Sequence, residues 1–449
     1  MDEFTERLLQ GYAVKMKKTT AFVISHEPNP SRTEAEQTIS IIALTLTRAL
    51  GRENIDVVRV HPNMLDDSLS SRYLKAIEIC PDLYQSEYAL TSFLLEMADK
   101  YPGERVLIPA SDDCSAYLAR HADSLGETFK LLNPSAETME SVKDKRRQYR
   151  LAEKASVPVP ETVFPASIED LEKAADWLSG YPYIIKPLEA QKWRLKVFSQ
   201  VANGKKAITV HTREELLSEY RRIAEHDDDV MIQEIIPGDD EHLITFLGYC
   251  SEEHKPLAYC IRSKLRQNPV DFGYCTATVS CHNDEVERYA KQLLTEAQYT
   301  GIVGIEFKFD SKSQQFKLIE INTRPVNTIG LSIGCGVNIP LIAYLDAIGE
   351  EQQPVTDWQD GVTWLWLSMD MSAAVQLRRL GKLTYRQWLS SISGKRVHAI
   401  FARDDLRPGI QFYARFLKQQ LVKPVDMSRL LDVGRGMLRG LGRMATRIW

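Results

Sequence analysis

The stretch LIEINTRPVN at 318–327 sets an acid, an amide and a guanidinium at alternate positions, Glu320, Asn322 and Arg324. In a β-strand successive side chains point to opposite faces, so these three share one face and Ile319 and Ile321 take the other. The preceding segment GIVGIEFKFD, 301–310, places Ile305, Phe307 and Phe309 on one face and Glu306 and Lys308 on the other. The polar residues 311–315 supply a turn, and a hairpin of that length sets Glu306 across from Glu320, within about one residue. Two carboxylates directly opposite repel each other. A divalent cation between them removes that cost, and oxygen donors from Glu306, Glu320 and Asn322 suit Mg2+, which usually binds nucleotide phosphates as well. The plainer alternative is the solvated face of an antiparallel sheet.

The rest of the chain must position that hairpin. At 449 residues it has length for about three domains. Its 44% apolar content supports ordinary cores, and a net charge of −5 lacks the basic excess that a nucleic-acid partner requires. The seven cysteines include no CxxC pair and read as buried thiols in a reducing compartment. MDEFTERLLQ lacks the apolar core of a signal peptide, and no run approaches the length of a membrane span. A cytoplasmic protein is expected.

AFVIS (21–25), IDVVRV (55–60) and RVLIP (105–109) read as short buried strands, with a helical pattern at 34–50 between the first two. Such alternation predicts a parallel α/β layer, and the loop after AFVIS carries no GxGxxG. Ser111, Asp112 and Asp113 follow the third strand, where they either touch a ligand or cap the next helix. A second unit starts near 131 with a charged helix through KDKRR that ends at the Val-Pro-Val-Pro run. The segment 181–190 is a strand carrying one lysine, Lys186, which needs an anionic partner to justify partial burial. Asn203-Gly204 signals a hairpin, 213–226 a helix and VMIQEIIPG (230–238) another strand. In CIRSKLRQNP (260–269), Arg262, Lys264 and Arg266 alternate and so point one way, as an exposed cationic face or an anion site. Residues 351–425 are rich in Trp and suggest no chemistry.

This order of parts resembles the ATP-grasp superfamily of ligases over roughly residues 20–350, and most of all its predicted ATP-dependent carboligase or carboxylate–amine ligase branch. The resemblance implies a mixed α/β and α+β fold. It implies a Rossmann-like domain (1–130), a small ATP-grasp lobe (131–228) and a large lobe with the metal site (229–350); a C-terminal extension (351–425) and a basic tail helix (426–449) follow outside the resemblance. It implies that Lys145, of the Asp144-Lys145 pair, and Lys186 reach the nucleotide phosphates. Gln233, Glu234, Ile235 and Ile236 fall at the adenine hinge, and Glu241 matches the acid that holds the ribose. Glu306, Glu320 and Asn322 are then ligands for two Mg2+ ions, with Mn2+ as a substitute. Arg324 matches a catalytic arginine, and Arg262, Lys264 and Arg266 lie over the γ-phosphate and the substrate carboxylate.

The implied reaction is ATP-dependent joining of a small carboxylate to an amine through an acyl phosphate, releasing ADP and phosphate. A bicarbonate-dependent carboxylase working through carboxyphosphate and a non-catalytic nucleotide-binding scaffold are the alternatives. One departure stands out: the loop 188–198, LEAQKWRLKVF, contains no glycine where many relatives have a glycine-rich one. Lys192, Arg194 or Lys196 would then supply charge and Trp193 a cover. The tail 427–449 carries five arginines opposite an apolar helical face. It reads either as a helix docked on its own protein or on a second copy in a homodimer, or as a peripheral contact with the inner face of an anionic membrane.

Overall fold

The buried strand TTAFVI sits at the centre of the first of three sheets in the computed structural model, which describes residues 19–26, 39–178, 180–188, 193, 207–270 and 273–422. That first sheet contains β1 (Thr19–Ile24), β2 (Asp56–His61), β3 (Leu74–Ile79), β4 (Glu104–Pro109) and β5 (Lys130–Leu131), in the order β3-β2-β1-β4-β5. All its pairings are parallel. Continuous apolar runs suit strands covered on both faces, and five of the six residues of β1 are buried. The three strands expected from sequence are there. The two edge strands were missed: LKAIEI mixes buried with exposed positions, and Lys130–Leu131 is two residues long. The helical pattern at 34–50 is a helix over Ile41–Gly51, capped by Ser40; residues 34–38 lie outside the described residues.

The second sheet is small and antiparallel: β6 (Thr162–Val163), β7 (Tyr183–Pro187), β8 (Ile208–Val210) and β9 (Val230–Glu234), in the order β6-β9-β7-β8. The helices Ile168–Ala175 and Arg213–Ala224 supply Leu171, Leu216 and Tyr220 to its core. Trp193 belongs to that core, with 0% of its surface exposed and its indole N–H donating to Asp227 at 2.7 Å. It is therefore not a cover over a ligand, because burying so large a ring with its one polar atom satisfied is the more stable arrangement. The remainder of 189–198, including Lys192, Arg194 and Lys196, lies outside the described residues, as do the Asn203-Gly204 hairpin and the tail 427–449.

The third sheet holds β10 (Leu243–Cys250), β11 (Pro256–Asn268), β12 (Tyr274–Ser280), β13 (Gly301–Asp310), β14 (Gln315–Asn322), β15 (Thr363–Leu365) and β16 (Arg396–His398), in the order β14-β13-β10-β11-β12-β15-β16. It is antiparallel except where β15 meets β16. Strands from beyond residue 350 thus complete the same sheet that carries the acidic hairpin. A continuous core joins one face of the first sheet (Ala21, Val23) to the third (Phe246, Ile261, Ile305). Arg48 clamps the C-terminal segment onto the first layer, through Asp405 at 2.9 Å and the Ile400 carbonyl at 2.7 Å. Among the described residues no single helix is long and apolar enough to cross a membrane, and all seven cysteines are free thiols.

A second clamp on that segment titrates. Asp67, 3% exposed, meets Arg415 of the helix Arg407–Val422 at 2.6 Å. Burial raises its carboxyl from the ordinary 3.8 to about 6; Arg415 pulls it down and Asp66 pushes it up. The folded state therefore holds its proton more tightly than the unfolded one. The resulting stability is complete below about pH 4 and is lost as pH rises through about 6. At about 1.4 kcal/mol per pH unit this amounts to about 3 kcal/mol. Urea unfolding at a series of pH values is expected to show that decline in the wild type and a flatter profile in Asp67→Asn.

Candidate active site

The hairpin β13–β14 pairs Gly304 with Asn322, Ile305 with Ile321 and Glu306 with Glu320. The register then shifts so that Phe307 faces Leu318, leaving Ile319 as the extra residue of a bulge. The row through the acidic pair continues sideways, from Glu306 to Thr245 on β10, Arg262 on β11 and Ser280 on β12. Lateral neighbours in a sheet share a face, and strands lie about 4.8 Å apart, so Arg262 stands about 10 Å from Glu306 on the same side. Arg262 is 4% exposed and donates to Thr278 at 3.2 Å, while its Nε and the Thr245 hydroxyl are buried without a hydrogen-bond partner. Lys264, 5% exposed, puts Nζ 3.1 Å from Glu306 Oε2.

The segment 260–268 is thus a buried strand, not an exposed cationic face, and only two of its three cations share the side of the acids. Lys264 is opposite Thr278 and Arg266 opposite Ala277, so Leu265 is bulged and Arg266 turns to the other face. The expected common direction of Arg262, Lys264 and Arg266 fails at that bulge.

Lys145 opens the helix Lys145–Lys154, which Asp144 caps by accepting from the Arg147 amide at 2.9 Å. Burial pushes its ammonium pKa below the usual range, while Glu320 and Glu306 draw it back up. Tyr149, one turn further on and so on the same helix face, is pushed to about 12, chiefly by burial; Glu320 adds to the rise. The Gln233 amide donates to Tyr149 and, at 3.1 Å, to Thr162, and its oxygen accepts from Lys186 Nζ at 3.1 Å. Lys186 is thus linked through Gln233 to Tyr149 of the helix, while Lys145 donates to Gln148 of that same helix at 3.1 Å.

The residues expected at the adenine hinge run from the last two of β9, Gln233 and Glu234, to Ile236 beyond it. Glu234 accepts from Lys317 of β14 at 2.5 Å and from the Glu161 amide at 2.9 Å, Ile235 is half-buried and Ile236 is buried. Glu241 is exposed in a short 3-10 turn, where its carbonyl accepts from the Ser263 hydroxyl at 3.0 Å. Lys317 also meets Asp310 at 2.9 Å, so it ties the hinge to the acidic hairpin. Sequence reasoning gave it no role, nor Lys308, two residues from Glu306. Burial lowers the Lys308 ammonium pKa, with Asp240 and Glu306 raising it and Lys264 lowering it further. Spacing alone could have found Tyr149, at i+4 from Lys145, and Lys308, at i+2 from Glu306.

β14 ends at Asn322, so Arg324 lies past the strand rather than on its face. Its guanidinium makes two bonds of 2.7 Å to the carboxylate of Asp112, at the start of the helix Asp112–Arg120. Ser111 caps that helix through the Cys114 amide, and Asp113 accepts from the Tyr84 hydroxyl at 2.7 Å. Of the two roles open to the Ser-Asp-Asp triplet, capping holds for Ser111, whereas Asp112 orients Arg324. The turn beyond Arg324 packs on Gly304, where a Cβ would come within 2.8 Å of Val326. Only glycine permits that approach.

The donor set fits a hard divalent cation. Glu320 and Asn322 make no side-chain hydrogen bond or ion pair among the described residues, and both offer oxygen. Two carboxylates and an amide make a partial ligand shell, and no cluster of three or more His, Cys, Asp or Glu suited to a metal occurs among the described residues. A Mg2+ ion completes such a shell with water and phosphate oxygens.

Comparison with known proteins bears on the fold that carries these residues. Residues 227–369 match a family described as ATP-grasp in the biosynthetic pathway with Ter operon. The chain is 24% identical over 270 residues to a D-aspartate ligase of Enterococcus faecium, covering 58% of this chain and 63% of that protein, less than two thirds of its length. In fold it is similar to a biotin carboxylase of Campylobacter jejuni, with a TM-score of 0.57 at 17% identity over 78% of this chain and 74% of that one. It is also similar to an L-amino acid ligase of Bacillus licheniformis, with a TM-score of 0.53 at 13% identity over 76% of each chain. Residues 227–369 of the chain thus match an ATP-grasp family, and about three quarters of it is similar in fold to these two solved structures.

Proposed function

We propose that this protein joins a small-molecule carboxylate to an amine at the expense of ATP, through an acyl phosphate, releasing ADP and phosphate. The observation that carries the reading is the pairing of Glu306 with Glu320 under two lysines, Lys264 at 3.1 Å and Lys145 in electrostatic reach of both acids. Glu306, Glu320 and Asn322 would hold the metal, two Mg2+ ions or Mn2+ in their place; bound there, it would neutralise phosphate oxygens and align the triphosphate. Lys145 and Lys186 meet phosphate oxygens from the small-lobe side. The backbone of Gln233, Glu234, Ile235 and Ile236 reads the adenine edge, and the Gln233 and Glu234 side chains are left to hold Lys186 and Lys317 in place. Glu241, exposed, accepts from the ribose hydroxyls.

A substrate carboxylate oxygen attacks the γ-phosphorus, the bond to the bridging oxygen breaks, and ADP leaves. Arg262 and Lys264 steer the carboxylate, and Arg324 stabilises the charge on the transferring phosphoryl group. The amine then attacks the acyl carbon, phosphate departs and the nitrogen gives up a proton, leaving an amide. Catalysis on this scheme is mainly positioning and electrostatics. The test is a coupled ADP-release assay across a panel of carboxylates and amines. ADP release that depends on both an acid and an amine, with an amide in the products, is expected. Hydrolysis indifferent to every added substrate would overturn the reading.

A further inference from the structure

Two residues beyond Lys264, β11 departs from regular alternation in favour of a buried ion pair. Left to itself, a strand reading Lys-Leu-Arg turns its arginine to the same side as its lysine. Here the bulge at Leu265 sends Arg266 to the opposite face, where its Nε and Nη2 donate to the two oxygens of Asp370 at 2.8 and 3.0 Å and its Nη1 to Ser391 at 2.7 Å. Asp370 lies on the helix Leu367–Arg379, is 0% exposed and accepts two further bonds, from Thr276 of β12 at 2.9 Å and from the Trp388 indole at 2.7 Å. Four hydrogen bonds thus converge on one carboxylate from β11, β12 and the helix Tyr385–Ser391.

A buried ion pair is weak support for stability as such, since apolar residues of similar volume usually serve as well; its better-attested use is to specify one register against another. The register at stake here is the one that aims Lys264 at Glu306 and keeps a third cation, beside Arg262 and Lys264, out of the site. A slip by one residue would reverse both. We propose that Asp370 is a positioning residue for the metal-side chemistry. Through Arg266 it locks the bulge in β11, and so sets Lys264 against the Glu306–Glu320 pair. The inference rests on the role assigned to that acid pair above. It extends the working site into the C-terminal segment, just past the 227–369 stretch that the family model matches.

The test separates positioning from folding. Asp370→Asn is expected to lower turnover by about 10–100-fold, in the range seen when partners of metal ligands are removed, with KM for ATP unchanged. The double variant Arg266→Met/Asp370→Leu replaces the ion pair with apolar groups. It is expected to melt no lower than Asp370→Asn while turnover stays down. Binding of Mn2+ with a non-hydrolysable ATP analogue, followed by water-proton relaxation, is expected to weaken about tenfold in the double variant. Trp388→Phe removes one donor to Asp370 and moves both readouts the same way by less, which covers a double variant that does not fold. Mn2+ binding and turnover at wild-type levels in either folded variant would overturn the proposal. If the wild type releases no ADP in response to any amine yet Mn2+ binding still weakens in the variants, the ligase reading fails and the clamp stands.

Discussion

Glu320→Gln is expected to lower ATP-dependent turnover by about 10²–10³-fold, the scale of removing one preorganised electrostatic group, without loss of stability. Glu320 sits directly opposite Glu306 and makes no hydrogen bond or ion pair among the described residues. Its charge makes no direct contact and favours the Lys145 ammonium only at longer range, whereas like charges facing each other across two strands destabilise the pair. Glutamine keeps the shape and removes the repulsion, so the melting temperature should hold or rise slightly. Glu306→Gln is the contrasting case, because it strips Lys264 of a partner at 3.1 Å and leaves a buried ammonium exposed to desolvation cost. Steady-state ADP release beside thermal unfolding separates the two. Turnover in Glu320→Gln within a few-fold of wild type would remove the acid pair from the chemistry.

Arg324→Lys is expected to lose about 10³-fold in kcat, at the lower end of what an arginine contributes to phosphoryl transfer. KM for ATP should change little, because the guanidinium acts on charge that develops in the transition state. Its planar fork is held by two 2.7 Å bonds to Asp112 from the first layer, a geometry that an ammonium on a flexible stem cannot reproduce. Asp112→Asn keeps the arginine but loosens its orientation, and should fall between wild type and Arg324→Lys. If lysine at 324 retained wild-type kcat, a simple positive charge would suffice and the oriented guanidinium would have no special part.

The portion of this site that could be read in the sequence was local. Alternation over 301–310 and 318–322, with a polar turn between, was enough to put Glu306 against Glu320, because register in a short hairpin follows from turn length. Lys186 was visible as one charge in an apolar strand. The bulges at Ile319 and Leu265 were not, since neither carries a glycine, and the one at Leu265 goes with the Arg266–Asp370 pairing on the far face. Arg266 looked like a third active-site cation until Asp370, 104 residues away, claimed it. Arg324 was legible as a residue type but not as the partner of Asp112 across 212 residues. Trp193 looked like a cover because its neighbours in sequence are charged, whereas its neighbours in space are Tyr183, Leu216 and Ile232. Long-range pairings of this kind leave no periodic trace in either partner, which is also why the strands Thr363–Leu365 and Arg396–His398 went unrecognised as the far end of the sheet that carries the acidic hairpin.

The most direct test is a crystal structure with Mn2+ and a non-hydrolysable ATP analogue, located by anomalous scattering. Manganese peaks bridging the carboxylates of Glu306 and Glu320 to phosphate oxygens, with Asn322 in contact and Lys145 and Lys186 on the triphosphate, are the expected result. A nucleotide bound with its metal away from that hairpin, or no manganese at the two carboxylates under saturating ligand, would contradict it.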